Sequence, residues 1–323
     1  MKILVVRNDK LGDFITALPT FYVLKHHNPA NTIVALVAPL NQELAQSCPF
    51  IDEVIVDYGE HPLTLAQHLT KKNFDASITL FSTTRVALAQ WLARIPLRIA
   101  PATKIAQIFY THRIVQRRSE AKMAEFEYNL ALIHPLFPRV SVVFPQPLLT
   151  FESTLFETFC RIHHLHKPII AFHPGSGGST EANWSVREYI ELITLALEHT
   201  EIDIVITFGP DEEQLCAETK GYLGKSRVII YPSKGSLVEF AALVSRFSLF
   251  ISTSTGTYHL ASAVGCETFT FFGDSLFASA ARWKSIGDPH KQHPFMIPHD
   301  PEGRKMMFFT VKEALKRRLL ASF

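Results

Sequence analysis

The sequence predicts an α/β protein of two parallel-sheet domains facing each other across a cleft. Short apolar runs of strand length alternate with helical patterns through both halves of the chain. The runs are rich in Val, Ile, Leu and Phe, as strands buried on both faces of a parallel sheet must be. The alternation restarts after a proline-rich stretch without helical periodicity, FPRVSVVFPQP at residues 137–147, which marks a domain connection. A length of 323 residues exceeds one typical domain and suits two.

In the first half, residues 3–6 read as a strand, 8–13 as a polar turn and 14–26 as a helix. Further strands are expected at 32–38, 53–57 and 76–81, with helices at 41–46, 63–72 and 84–94. Residues 151–164 form a candidate hinge helix. The second half places strands at 169–173, 203–208, 227–231, 249–252 and 268–272, and helices at 185–198, 212–221, 237–247 and 257–264. A last helix at 311–321 has Val311, Ala314, Leu315, Leu319 and Leu320 on one face. The domains are expected at 1–150 and 151–309, followed by that helix at 310–323. In such folds ligands bind beyond the carboxyl ends of the strands, so the turns just after strands are where functional residues belong.

Composition removes several classes. Hydrophobic residues at 47% and charged residues at 19% give a sizeable core and argue against disorder. A net charge of +2 is too small to argue for a nucleic-acid partner. The 15 histidines are scattered, without C-x-x-C or H-E-x-x-H spacing, so no metal site is expected. Cys48, Cys160, Cys216 and Cys266 show no disulfide framework and read as reduced thiols of a cytosolic protein. The apolar start is broken at Arg7, which fits a strand and not a signal peptide. No apolar run reaches the roughly 18 residues of a membrane span, so the chain reads as soluble, with room for peripheral docking.

Four turns carry candidate chemistry. RNDKLGD at residues 7–13 has only Gly12, so the dinucleotide fingerprint is absent and a dehydrogenase is disfavoured. Gly12 allows a tight turn and close approach to a ligand. Asp13, at a helix start, reads either as an N-cap or as a general base for an acceptor hydroxyl. Arg7 and Lys10 read either as anion-holding groups for an acceptor or as solvated charges. HPGSGG at residues 173–178, followed by Ser179 and Thr180, offers backbone N–H groups and hydroxyls to a diphosphate. The lysine of a P-loop is missing there. In FGPDEE at residues 208–213, Glu212 suits either ribose hydroxyls or the helix dipole. In STSTGTYHLA at residues 252–261, Ser254, Thr255 and Gly256 are candidate phosphate donors, and His259 is a ligand or a packed residue. Arg113, Arg117, Arg118 and Lys122 form a basic run that suits an anionic headgroup or a solvated loop.

Taken in order, RNDKLGDFITALP, HPGSGG followed by Asn183-Trp184, FGPDEE, SKGSLVEFAALV and STGTYHLASAVG resemble glycosyltransferase family 9, the ADP-heptose:lipopolysaccharide heptosyltransferases. The resemblance covers most of the chain. It implies a GT-B fold of two Rossmann-like domains and inverting, metal-independent transfer of heptose from ADP-heptose to a lipopolysaccharide core acceptor. It implies no cofactor beyond the nucleotide sugar, and a cytoplasmic location in a Gram-negative bacterium, with peripheral contact at the inner membrane. Asp13 would match the catalytic base, with Arg7, Lys10 and Gly12 on the acceptor side. Gly175, Ser176, Gly177 and Thr180 would hold the donor diphosphate together with Thr255 and Gly256, Glu212 would hold the ribose, and Ser254 and His259 would also lie on the donor side. The loop at residues 233–236 would lie by the base. The last helix would pack back on the first domain. Two positions depart from the family pattern: Ala182 stands where a lysine is common, and Ser254 where an aspartate is. They keep open a different nucleotide sugar or acceptor, or a member that binds without catalysing.

Overall fold

The structure is a computed structural model describing residues 1–103, 105–176, 182–223, 227–233 and 236–321. The chain divides into two compact units, Met1–Pro145 and Gln146–Phe323.

The first unit has strands β1 (Lys2–Arg7), β2 (Thr32–Val37), β3 (Glu53–Val56), β4 (Ala76–Thr79), β5 (Leu97–Pro101) and β6 (His112–Ile114). Its helices are α1 (Leu11–His27), α2 (Gln42–Ser47), α3 (Pro62–Thr70), α4 (Thr84–Leu92) and α5 (Glu125–Ala131). The strands lie in the order β3-β2-β1-β4-β5-β6, with every pairing parallel. β1 is central, and its alternating residues serve both faces. Leu4 and Val6 pack with Leu65, Leu69, Val86 and Ala89 of α3 and α4. Ile3 and Val5 are buried on the opposite face.

The second unit opens with α6 (Thr154–His163), then runs through β7 (Ile169–His173), α7 (Val186–Leu197), β8 (Asp203–Phe208), α8 (Glu213–Leu223) and β9 (Val228–Pro232). It continues with α9 (Leu237–Val244), β10 (Leu249–Thr253), α10 (Gly256–Ala263), β11 (Thr268–Gly273), α11 (Ala280–Trp283), β12 (Gln292–Ile297) and α12 (Pro301–Leu320). Its sheet order, β12-β11-β10-β7-β8-β9, is again all parallel. Burial of Ile170, Phe172, Ile204, Ile206, Leu249 and Ile251 against α7 and α12 makes its main core. Among the described residues no helix is long and apolar enough to cross a membrane.

Three differences from the sequence reading have physical causes. The expected boundary near residue 150 falls instead between Pro145 and Gln146, because Leu148 and Leu149 already donate their N–H groups to the Ala263 carbonyl of the second unit. The histidine- and proline-rich segment before residue 300 contributes β12, an edge strand, where Pro294 removes a donor at little cost. α12 begins ten residues before the expected Val311, since Asp300 accepts from the Gly303 N–H and Pro301 occupies the first helical position. Val311, Leu315 and Leu319 are buried in the second unit's core, beside residues of α7.

Candidate active site

In the first unit the candidate site residues converge at the carboxyl end of β1. The apolar run of β1 ends at Arg7, whose side chain is only 2% exposed. A guanidinium in that position must be satisfied from several directions. Arg7 Nε donates to Asp9 Oδ1 at 2.8 Å, Nη2 to Asp13 Oδ1 at 2.5 Å, and Nη1 to Glu125 Oε1 at 3.2 Å and Asn129 Oδ1 at 3.3 Å. Glu125 also accepts from Arg118 Nη1, and Arg118 Nη2 reaches the Leu80 carbonyl at the end of β4. Three carboxylates around Arg7 hold its proton more firmly than usual. Burial pushes the Asp9 carboxyl up to about 6, the negative charge of Asp13 adds to this, and Arg7 opposes it.

Asp13 is not an N-cap. α1 starts at Leu11 with Lys10 as the capping residue, and no side chain caps it. Asp13 therefore lies in the first turn, where it accepts from Arg7 and keeps its side chain 18% exposed. Among the described residues no hydrogen bond reaches its second carboxylate oxygen. Arg7, expected to hold an anionic acceptor, faces carboxylates instead. Lys10 stays exposed beside the turn and Gly12 partly so. A neighbouring pair lies beyond the same edge: Asp57, after β3, accepts from Arg85 Nη2 at 2.5 Å and from Asn8. Those two donors, together with the Gly59 N–H, hold its carboxyl below the usual range although burial opposes them.

In the second unit, β7 delivers His173 into a buried position, where Nδ1 lies 2.9 Å from Thr207 Oγ1 and Nε2 lies 3.7 Å from Glu212 Oε2. Burial lowers the His173 pKa, with Glu212 acting against it. Glu212 stands just before α8. Its carboxylate turns back to accept from the Gly209 N–H at 2.7 Å. It fills the room left by the missing side chain at Gly175, where a Cβ would meet Oε1 at 1.8 Å. Ser176 is half-buried beyond it, and Gly177 and Thr180 lie outside the described residues. Asn183 closes the far end of this loop, donating to the Pro174 carbonyl at 2.8 Å and accepting from the Trp184 N–H and the Tyr189 hydroxyl.

The helix starts differ in a useful way. Ser185 with Glu188 closes the amino end of α7, and Ser236 with Glu239 closes that of α9, each as a capping box. The amino end of α10 has no such seal. Its capping residue Thr255 makes no side-chain cap bond, and no acid stands in its first turn. The Thr255 hydroxyl turns to Thr257 Oγ1 at 2.9 Å and to the Thr253 carbonyl. The first-turn N–H groups beyond Gly256 are thus available to an anion. Ser254 precedes them, its N–H bonded to the Phe271 carbonyl at 2.9 Å. His259 is a packed residue at 3% exposure, and burial drives its pKa down to about 3. It stays neutral and carries no charge for a phosphate.

Asp9 and Glu125 were missed by the sequence reading. Asp9 lay inside a motif already singled out, as an acid two residues from Arg7. Glu125 has no local signal, because its role rests on a contact 118 residues away in sequence. Arg118, read as part of an exposed basic run, turns inward to Glu125, whereas Arg117 and Lys122 stay exposed.

The two all-parallel α/β units match the GT-B fold of solved heptosyltransferases. An E. coli ADP-heptose lps heptosyltransferase II matches with a TM-score of 0.83 at 19% identity, covering 99% of both chains. An E. coli heptosyltransferase with ADP matches at 0.74 and 19% identity, covering 98% of this chain and 99% of that one. The family model described as glycosyltransferase family 9 (heptosyltransferase) matches residues 63–296. A putative glycosyltransferase of Haemophilus influenzae is 39% identical over 94% of this chain and 91% of its own length. A lipooligosaccharide heptosyltransferase 2 of Campylobacter jejuni is 23% identical over 88% and 85%. The chain belongs to glycosyltransferase family 9, and it is a glycosyltransferase.

Proposed function

We propose that the protein moves heptose from ADP-heptose to a lipopolysaccharide core acceptor, with inversion, without a metal, and with Asp13 as general base. The observation that carries the reading is the Asp13 carboxylate, held by buried Arg7 through one oxygen and partly exposed at the carboxyl end of β1. In this scheme Asp13 takes the proton of the acceptor hydroxyl as its oxygen attacks the anomeric carbon. The bond from that carbon to the diphosphate oxygen breaks, and ADP departs with the bonding electrons. The open amino end of α10 and the backbone around Gly175 and Ser176, with Gly177 and Thr180 beyond, would meet the charge building on the diphosphate. Glu212, fixed by the Gly209 N–H, would accept from ribose hydroxyls. On the acceptor side, exposed Lys10 is the remaining cation for an anionic glycan. Arg113, Arg117 and Lys122, with exposed Val115 nearby, would serve peripheral contact with the cytoplasmic face of the inner membrane.

A second reading, a different nucleotide-sugar donor, is favoured by one observation. Ala182 sits in the apolar core, its carbonyl bonded to Thr253 Oγ1 at 3.0 Å, and Ser254 brings no carboxylate. Calorimetry with ADP, UDP, GDP and CMP separates the two readings. Preference for ADP supports the heptosyl reading, and preference for another nucleotide overturns the donor. Asp13→Asn is expected to lose transfer while keeping donor affinity. Wild-type transfer in that variant removes Asp13 as the base, and absence of transfer and of nucleotide binding in the wild type marks a member that has lost catalysis.

A further inference from the structure

A carboxylate that has a buried guanidinium to itself is a poor base. An adjacent arginine favours the ionised form and lowers a carboxyl by about 1–3 units, and burial limits the screening that water would supply. Asp13 has such a partner, since Arg7 is 2% exposed and lies 2.5 Å away. The site, however, does not give Arg7 to Asp13 alone. Nε goes to Asp9 at 2.8 Å, and Nη1 goes to Glu125 at 3.2 Å and Asn129 at 3.3 Å. One positive charge therefore faces three carboxylates from three segments: the turn after β1, α1 and α5.

The surroundings hold this division in place. Asn41 Nδ2 donates to the Asp9 carbonyl at 3.1 Å, fixing the turn. Asn129 Nδ2 reaches the Thr16 carbonyl at 3.3 Å, tying α5 to α1. Arg118 bonds Glu125, Arg85 is paired with Asp57, and Lys10 is exposed to water.

We propose that Asp9 and Glu125 are positioning residues that divide the Arg7 guanidinium with Asp13 and so preserve the basicity of the Asp13 carboxylate. The inference rests on the reading of Asp13 as the base. Asp9, pushed up to about 6 mainly by burial, exerts its full effect above that pH, where it is charged.

The test is a carbon-13 NMR titration of the intact protein carrying carboxyl-labelled aspartate, with the Asp13 signal assigned by its loss in Asp13→Asn. No substrate is needed. In Glu125→Gln, which keeps the shape and removes the charge, the Asp13 carboxylate should bind its proton about tenfold less tightly than in wild type. The same direction, smaller because Asp9 is largely protonated below about pH 6, is expected in Asp9→Asn, which serves if Glu125→Gln fails to fold. A loosened site that lost the Arg7–Asp13 contact would instead bind the Asp13 proton more tightly. An unchanged or tighter Asp13 proton affinity in Glu125→Gln overturns the proposal. Transfer assays on Asp13→Asn report the base assignment separately. A shifted midpoint together with an active Asp13→Asn would leave the charge sharing standing and overturn the catalytic role it is said to serve.

Discussion

Gly175→Ala puts the donor-side geometry to a quantitative test. A Cβ at that position would stand 1.8 Å from Glu212 Oε1 and 2.1 Å from Cδ, far inside contact distance. The Gly175 backbone is not in the left-handed region, so alanine meets no conformational objection and the cost is purely one of room. The flexible partner yields: the Glu212 side chain, 13% exposed, must swing towards water. It then gives up the 2.7 Å bond from Gly209 and its approach to His173. If Glu212 accepts from the ribose as proposed, one charged hydrogen bond is lost from the complex, about 1.5–3 kcal/mol. That corresponds to roughly tenfold to a hundredfold weaker ADP binding. The assay is calorimetric titration of ADP into wild type, Gly175→Ala, Glu212→Ala and the double variant. Because the clash is with Glu212, the double variant should bind like Glu212→Ala, within about twofold. The reasoning is refuted if Gly175→Ala binds as wild type does, or if it costs the same factor again when Glu212 is already absent.

Other outcomes follow from the same geometry. Leu315→Ala, at a fully buried position of α12, should destabilise the second unit by about 2–5 kcal/mol, read as an earlier thermal transition, while a Met1–Pro145 fragment by definition cannot feel it. Asp9 is raised in the folded protein, so the native state binds more protons than the unfolded chain between about pH 4 and 6, and this residue's contribution to stability falls as pH rises through that window. Asp9→Asn should therefore match wild type in urea denaturation near pH 4.5 and become relatively more stable near pH 7.5, and a constant difference across that range would refute the assignment.

What could be read from sequence followed the physics of each element. Strands buried on both faces need continuous apolar residues, and β1, β2, β7, β8 and β10 announced themselves that way. The strands that escaped were at or near edges. β6 is three residues with His112 and Arg113 exposed, and β12 carries His293 and Pro294 on a rim where no further strand must pair. β5 mixes Arg98 into LRIAP because its outer flank meets only that short edge strand. The start of α12 is marked by Asp300-Pro301, a cap followed by a first-turn proline, but its buried stripe begins only at Val311. The candidate turns could be picked out because glycines and hydroxyls cluster after strands. Glu125 was not, since nothing near it distinguishes a helix acid in water from one facing a buried arginine. The room at Gly175 for Glu212 could not be seen either, since it depends on two loops meeting.

The placement of α12 bears on how the chain is made. The first unit's sheet and helices are complete once Pro145 has been synthesised. The second unit is different: its sheet waits for β12, and its core waits for Val311, Leu315 and Leu319. At about 5–20 residues per second, the ribosome gives the first unit a lead on the order of ten seconds or more. During that interval the apolar strands β7, β8 and β10 exist without the helix that covers them. Nascent chains stalled before α12 should be the ones that chaperones and proteases find, and a premature stop near residue 300 should act through degradation more than through lost chemistry.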